Sequence, residues 1–249
     1  MSVLIHHTLQ SFRSTRKKNL RLALVPTMGA LHEGHLSLVR LAKEHADEVV
    51  VSIFVNPTQF APHEDFASYP RGLEEDLAQL TKLKVAHAYV PDVQDIYPAG
   101  PRTMVVPGPI ASKLEGQYRP HFFDGVATVV NKLLGGLAPD LAIFGEKDFQ
   151  QIMVVRQMVE DCRLPCEILA APTMREDDGL AMSSRNQYLD QTQRAKAAGM
   201  YKTLNEIKKN VDEQVFQNGQ VLLNHAYFEK MLMQHVISGF SKSEEVNIN

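Results

Sequence analysis

Two histidines three residues apart, His32 and His35, lie in the segment PTMGALHEGH at residues 26–35, which also holds Gly29 and Gly34. Imidazole nitrogens in such a place could ligate a metal ion, donate hydrogen bonds to a phosphate, or belong to an ordinary turn. The zinc motif His-Glu-x-x-His needs a spacing of four on one helical turn, so this spacing disfavours zinc, which nevertheless stays an alternative.

The elements around this turn favour the phosphate interpretation. The segment LRLALVP (20–26) predicts a buried strand, and residues 38–42 have helical periodicity. A turn from a strand into a helix lies at the carboxyl edge of a parallel sheet, where the helix N-terminus offers N–H groups and partial positive charge. Gly29 and Gly34 would let the backbone approach a phosphate, whose field would raise the pKa of both histidines. A solvated turn is the remaining alternative.

Strand-like and helix-like segments alternate through the first two-thirds of the chain, which predicts an α/β fold with a Rossmann-like, doubly wound parallel sheet. This domain is expected to span 1–174, and a small C-terminal domain, or lid, 175–249. The smaller domain shows helical periodicity around 200–211 and 228–236, and EEVNIN at its end resembles a strand. The predicted strands of the first domain are 20–26, 49–55, 85–91, 141–144 and 166–172, with helices at 73–83, 126–137 and 152–159.

Composition excludes several classes of protein. The 249 residues are 44% apolar and 22% charged with a net charge of −3, which indicates a globular protein without a broad nucleic-acid footprint. The longest apolar stretch, 49–55, is too short to span a membrane, and the N-terminus lacks signal-peptide character. Cys162 and Cys166 are expected to be reduced thiols, as in a cytosolic protein.

Three further polar segments could carry chemistry. NPTQF (56–60) follows a predicted strand, and Asn56 and Gln59 could bind a small polar substrate or cap the loop. GEKD (145–148) follows another strand, so Lys147 could neutralise phosphate while Asp148 orients it or caps the next helix. SSRN (183–186) offers two hydroxyls and a guanidinium to pyrophosphate, or is a surface turn.

These segments occur in one order along residues 26–189 together with YPR, EGQYRP, GVATVVNKLL and DGLAMSSRNQYL. With this set of motifs the chain resembles the pantothenate synthetases, or pantoate–β-alanine ligases. The resemblance implies a nucleotidyltransferase fold related to class I aminoacyl-tRNA synthetases. It implies that pantoate attacks ATP to give pantoyl adenylate and pyrophosphate, and that β-alanine then gives pantothenate and AMP. It also implies Mg²⁺ and a cytosolic homodimer whose partners are these small molecules, with neither nucleic acid nor membrane.

The same resemblance assigns residues. His35 matches the catalytic proton donor, and His32, Lys147 and Arg185 would supply further donors and positive charge. The residues expected to contact ATP are Met28, Gly29, Ala30, Leu31, His32, Glu33, Gly34, His35, Gly145, Glu146, Lys147, Asp148, Met174, Met182, Ser183, Ser184 and Arg185.

Substrate and metal residues complete the predicted site. Gln59 and Gln151 would bind pantoate, Gln59 would also lie near β-alanine, and Asn56 is predicted to join them. Asp76 is the predicted magnesium ligand, from a polar cluster with Glu75 and Gln79 on one helical turn. A solvated acidic helix face is the alternative for that cluster.

Two departures from the family pattern leave other functions open. The family reads Arg-Pro-Gly-His-Phe where this chain has RPHFF at 119–123, and its C-terminal domain usually continues beyond EEVNIN. A shortened domain would close less well over ATP. The alternatives are a related adenylyltransferase with another acceptor and a nucleotide-binding relative with impaired catalysis.

Overall fold

The structure, a computed structural model, describes residues 2–218. Short 3-10 turns at Pro57–Gln59, Pro109–Ser112, Glu146–Asp148 and Ser184–Tyr188 punctuate the connections. The strands and helices follow in the order β1 (Leu4–His6), α1 (Leu9–Thr15), β2 (Leu22–Thr27), α2 (Glu33–His45), β3 (Glu48–Ile53), α3 (Leu73–Lys82), β4 (His87–Tyr89), α4 (Val93–Ile96), α5 (Glu115–Tyr118), α6 (Phe122–Leu137), β5 (Leu141–Gly145), α7 (Phe149–Asp161), β6 (Glu167–Ala171) and α8 (Gln191–Asn218).

The strands form one parallel sheet in the order β1-β4-β3-β2-β5-β6. Its central strand β2, with the sequence LALVPT, is buried along almost its whole length, as expected of a parallel strand covered on both faces. Chain order reverses between the neighbours β2 and β5, and ligands of doubly wound sheets bind beside the carboxyl ends at such a reversal. The predicted fold class is confirmed.

Two apolar clusters hold the sheet between its helices. Leu24 of β2 packs into a cluster with α1, α6 and α7, whereas Val25 packs into a second cluster with α2 and α3. Neighbouring residues of a strand point to opposite faces, so this one segment contributes to both layers. Both side chains are fully buried, and burial of each such side chain contributes about 1.5–3 kcal/mol. The layers fix the carboxyl edge of the sheet on which the candidate site is built.

A second pair of histidines, distinct from those in the turn at residues 28–35 (the glycine turn), connects the N-terminal strand β1 to the sheet. His6 Nε2 and His87 Nδ1 lie 3.1 Å apart, and both residues are 2% exposed. The outer nitrogens of the pair contact Ser11 Oγ at 3.1 Å and Glu48 Oε2 at 3.5 Å. Burial lowers the pKa of both histidines, because a charged imidazole loses its hydration there.

The chain divides into two compact units, one made of residues up to Met174 with Met182–Ser184, the other of Arg175–Ala181 with the residues from Arg185 onward. In the second unit, the Arg175 guanidinium lies 3.7 Å from the centre of the Tyr201 ring. Arg194 donates to Glu176 at 2.8 Å and to Asp178 at 2.5 Å. These contacts fasten the Arg175–Ala181 turn to α8.

The predicted helix at 200–211 is part of α8, on which Ile207 is buried. The predicted helix at 228–236 and the predicted strand in EEVNIN lie outside the described residues. Within residues 2–218, no helix is both long enough and apolar enough to cross a membrane.

Candidate active site

The predicted site segments follow the carboxyl ends of four strands. Met28–His35 follows β2, Asn56–Gln59 comes shortly after β3, Gly145–Asp148 begins at the last residue of β5, and Met174 comes shortly after β6. Because these strands are parallel and adjacent, their ends meet at one edge of the sheet. The fold therefore brings together segments that are more than a hundred residues apart in sequence.

The turn after β2 has a left-handed backbone at two successive residues. Gly29 has φ +84° and Ala30 has φ +50°. Glycine tolerates this region without cost, whereas a residue with a Cβ is held there only by surrounding contacts. Ala30 and Leu31 supply those contacts through their N–H groups, which donate to the Asp76 carboxylate at 2.9 and 2.7 Å.

The two histidines of the turn cap helix α2 reciprocally. His32 is the N-cap residue, and its Nδ1 accepts a hydrogen bond from the Gly34 N–H at 3.2 Å. His35 Nδ1 accepts in turn from the His32 N–H at 3.4 Å, and the ring centroids lie 4.0 Å apart. An accepting Nδ1 carries no proton, so both neutral rings carry their proton on Nε2. The pair can therefore donate hydrogen bonds to an anion while uncharged.

Burial lowers the pKa of His35 to about 3, with smaller contributions to this shift from the neighbouring His32 and the positive charge of Lys147. The ring is therefore neutral at pH 7 in the protein without nucleotide. Bound phosphates would act in the opposite direction, as the sequence analysis anticipates. The Lys147 ammonium therefore lies within electrostatic range of the His35 ring and disfavours its protonated form.

Asn56 and Gln59 contact each other, but Asn56 is buried whereas Gln59 is partly exposed to solvent. Asn56 is 1% exposed, and its Nδ2 donates to Gln59 Oε1 at 3.2 Å and to the Gly125 carbonyl at 3.1 Å. Its Oδ1 accepts from the Tyr97 hydroxyl at 2.9 Å. Gln59 is partly exposed, and its Nε2 contacts Met28 Sδ at 3.1 Å. Asn56 thus fixes the amide orientation of Gln59.

The residues after β5 are exposed at the sheet edge. Lys147 Nζ donates to Asp148 Oδ1 at 3.1 Å, an exposed ion pair that contributes little stability and can exchange partners. Asp148 precedes α7, although its side chain makes no capping hydrogen bond. Gln151 lies in the first turn of α7 and is partly exposed. All three are positioned by the β5–α7 connection.

The segment at 182–184 contacts the glycine turn within the first unit. Ser184 Oγ donates to the Ala30 carbonyl at 3.1 Å, and a Cβ at Gly34 would lie 3.4 Å from the Met182 Cβ. Met182 N–H donates to the Met174 carbonyl at 3.0 Å, which connects these two predicted nucleotide contacts. Arg185 belongs to the second unit, and its role stays a prediction.

The RPHFF departure has a structural counterpart. His121 has φ +67°, a left-handed conformation that suits the glycine of the family pattern, and it caps α6. Arg119 donates to Glu64 at 2.6 Å and lies 3.8 Å from the centre of the Phe122 ring. It also donates to the Gln59 carbonyl at 3.4 Å. Arg119 thus supports residues 56–59, the substrate segment, and this role was not predicted from the sequence.

Asp76, the predicted magnesium ligand, is engaged with backbone groups of the turn after β2. It is 2% exposed, and each of its oxygens accepts a backbone hydrogen bond. Among residues 2–218, no three His, Cys, Asp or Glu side chains cluster closely enough to hold a metal ion. The geometry thus gives this carboxylate partners different from those predicted, and the solvated alternative does not describe Asp76 either.

Comparison with known proteins gives a consistent result. A family model described as pantoate-β-alanine ligase matches residues 4–247. The pantothenate synthetase of Rhodopseudomonas palustris strain HaA2 is 57% identical over 195 residues, or 78% of this chain and 69% of the relative. That of Bradyrhizobium sp. strain BTAi1 is 50% identical over 222 residues, or 87% of this chain and 78% of the relative.

Solved structures that resemble this chain include members of the same family. The pantothenate synthetase of Thermus thermophilus superposes with a TM-score of 0.84 at 43% identity, covering 93% of this chain and 83% of that one. The pantoate-β-alanine ligase of Francisella tularensis, complexed with β-γ ATP and β-alanine, gives a TM-score of 0.78 at 41% identity. The match covers 82% of this chain and 80% of that one.

Proposed function

The chain belongs to the pantoate–β-alanine ligase family, and from that premise we propose how its residues condense pantoate with β-alanine at the expense of ATP. The ligase activity follows from the family. The observation that carries the residue assignment is the convergence of the Met28–His35 turn, Gln59 and the Gly145–Asp148 segment at one sheet edge. The proposal proceeds through pantoyl adenylate.

ATP is held at the glycine turn. The Nε2–H of His35 donates to a phosphate oxygen, and His32 acts beside it from the same helix cap. Lys147 leaves its exposed pairing with Asp148 to neutralise phosphate. The remaining predicted ATP contacts, including Met174, Met182–Ser184 and Arg185, are part of the proposal. A neutral imidazole serves as a hydrogen-bond donor here, and the anionic nucleotide raises its pKa on binding.

Pantoate lies next to Gln59 and Gln151. The Oε1 of Gln59 already accepts from Asn56, so Gln59 presents its N–H₂ group to the substrate oxygens. We assign Asn56 the role of orienting Gln59, because its own amide is buried and engaged with protein groups. A site built to hydrogen-bond a substrate hydroxyl discriminates strongly against analogues that lack it.

The reaction needs two displacements. A carboxylate oxygen of pantoate forms a bond to the α-phosphorus while the bond to the bridging oxygen breaks, and pyrophosphate leaves with the electron pair. The neutral amine of β-alanine then attacks the acyl carbon, the acyl C–O bond breaks so that AMP leaves with the electron pair, and the nitrogen releases a proton to solvent. Positioning and charge neutralisation supply most of the catalysis in such transfers. The histidine donors at the turn and Lys147 after β5 act on the charge that develops in the first step.

Magnesium is part of the family expectation, and Mg²⁺ bound to the phosphates would neutralise them. Mg²⁺ usually keeps several waters and takes only one or two carboxylates. Asp76 does not fit that role, because it is buried and both oxygens accept N–H groups. We therefore assign no protein ligand to Mg²⁺. The cytosolic homodimer is likewise a proposal drawn from the family resemblance, and the domain boundary near residue 174 is a proposal drawn from the change in sequence pattern there.

The activity is tested by incubating the protein with ATP, Mg²⁺, pantoate and β-alanine while AMP release is followed. AMP formation that requires both pantoate and β-alanine is expected. AMP formed with another carboxylate in place of pantoate would indicate a related adenylyltransferase, and ATP binding without turnover would indicate an impaired relative. Exchange of labelled pyrophosphate into ATP with pantoate alone tests the adenylate. Absence of that exchange in an active enzyme would refute the two-step route.

A further inference from the structure

Helix α3 holds the glycine turn through one buried carboxylate. Both oxygens of Asp76 are used, Oδ2 by the Ala30 N–H at 2.9 Å and Oδ1 by the Leu31 N–H at 2.7 Å. Gln79, three positions further along the helix, donates from Nε2 to the Leu31 carbonyl at 3.2 Å. One face of α3 thus engages the backbone of two consecutive residues immediately before His32.

The turn needs such support because its backbone is unusual. Gly29 and Ala30 are both left-handed, and the alanine disfavours this conformation. Successive backbone N–H groups in a turn form a concave site for an anion. In this turn the anion is the protein's own carboxylate. A Cβ at Gly29 would lie 3.1 Å from Asp76 Oδ2, so the two segments also fit closely.

The support continues from Asp76 to the histidine pair. Leu31, held by Asp76 and Gln79, is followed directly by His32, whose position sets the start of α2. The His32 ring and the His35 ring are then fixed by their reciprocal capping hydrogen bonds. A displacement of the Ala30–Leu31 backbone therefore reaches His32 at the next residue and His35 through its hydrogen bond with the His32 N–H.

We propose that Asp76 is a positioning residue, which presents the His32 and His35 donors to ATP by clamping the Ala30–Leu31 backbone and ligates no metal. The inference rests on the proposed function, because it needs ATP to bind at this turn. It distinguishes two roles for one carboxylate that activity measurements alone would confuse. A metal ligand acts only when the metal is present, whereas a clamp acts on metal-free nucleotide as well.

The test is calorimetric titration of metal-free ATP, in excess chelator, into the full chain and into Asp76→Asn. The variant keeps the shape of the side chain but faces one backbone N–H with an amide N–H₂, so one hydrogen bond is lost and a donor is orphaned. The clamp predicts that metal-free ATP binds about ten-fold more weakly or worse. Glu74→Gln removes an equal charge from an exposed position of the same helix and should bind as the wild type does.

Magnesium dependence supplies the second measurement. For Asp76→Asn, the Mg²⁺ concentration that gives half-maximal AMP release at saturating ATP should stay within about two-fold of wild type, because phosphates and water hold the ion. Wild-type affinity for metal-free ATP combined with a raised Mg²⁺ requirement would establish a ligand and overturn the proposal. Wild-type behaviour in both measurements would overturn it as well.

A second variant decides the matter if Asp76→Asn does not fold, which a denaturation curve reveals. Gln79→Met removes the other α3 hydrogen bond to the turn without altering charge. It should weaken metal-free ATP binding by about three-fold, in line with one neutral hydrogen bond. Unchanged affinity would refute the clamp. A wild-type chain that neither binds ATP nor releases AMP would instead refute the proposed function, and that result is distinct from any difference among variants.

Discussion

Gly125 on α6 packs closely against the backbone of the substrate segment, residues 56–59. A Cβ at this position would lie 2.3 Å from the Thr58 carbonyl oxygen, 2.6 Å from its carbon and 2.8 Å from Gln59 Cα. These are backbone atoms, so no side-chain rotation relieves the contact. Since carbon and oxygen need somewhat more than ~3 Å, Gly125→Ala must push the two segments apart by about 1 Å.

The displacement should cost both stability and activity. Overpacking of this kind destabilises folded proteins by about 1–3 kcal/mol. Gln59 moves with its backbone, and misplacing a substrate-orienting group by about 1 Å can cost ~100-fold in rate. We therefore expect kcat/KM for pantoate to fall by about that factor, whereas the KM for ATP changes much less, because the atoms nearest to the added Cβ belong to Thr58 and Gln59.

The measurements are urea denaturation and steady-state AMP release with pantoate varied. Gly135→Ala is the matched control, because it lies on the same helix and a Cβ there meets nothing within 4 Å. This control should gain about 0.5–1 kcal/mol, since alanine favours a helix interior over glycine, and its activity should equal wild type. If Gly125→Ala matched the control in stability and in KM for pantoate, the argument from close packing would be refuted.

Three further predictions concern other parts of the chain. His121→Gly should raise the free energy of unfolding by about 0.5–1 kcal/mol in urea melts, because φ +67° costs a side chain but not a glycine; a loss of stability would show that the hydrogen bond from His121 to Asp124 outweighs this strain. Folding lowers the pKa of His6, His87 and His35, so the unfolded chain binds protons before the folded chain does as pH falls below about 6.5. The free energy of unfolding should therefore decrease below that pH by up to ~1.4 kcal/mol per pH unit for each histidine. Urea melts at pH 7.5, 6.5 and 5.5 measure this slope, and a flat profile would contradict the prediction. Lys147→Ala should lower the rate of pyrophosphate exchange by ~100-fold or more while the melting curve stays within about 0.5 kcal/mol, because its ion pair is exposed; near-normal exchange would remove Lys147 from the mechanism.

The strands and main helices were predictable because burial dictates their composition. Segments such as LALVP and LAIF lie inside a sheet covered on both faces, so their continuous apolar character indicates a strand without knowledge of the neighbours. β1 was not predicted, since it has only three residues and its Leu4 and Ile5 are substantially exposed. It is held by pairing with β4 and by the His6–His87 contact, which depend on the tertiary structure.

The site shows the same division. The polar residues after each strand could be predicted, because the carboxyl edge of a parallel sheet collects whatever follows its strands. The partners of those residues could not. The roles of Asn56 toward substrate and of Asp76 toward magnesium stay predictions, whereas their burial and their hydrogen bonds to other segments of the chain were not predicted. Side-chain type indicates what a residue can bind, whereas packing decides which partner it has.

His32 and His35 at the start of α2 have two functions, since they cap the helix and are the proposed donors to ATP. Asparagine or serine is a better helix cap than histidine, so either could replace His32 and leave α2 intact. A screen for heat resistance would accept such a variant, although it lacks the imidazole. Under the proposed function, stabilising this protein by redesign of helix ends should therefore leave residues 32 and 35 unchanged, because a substitution there would give a folded and stable chain without the donors to ATP.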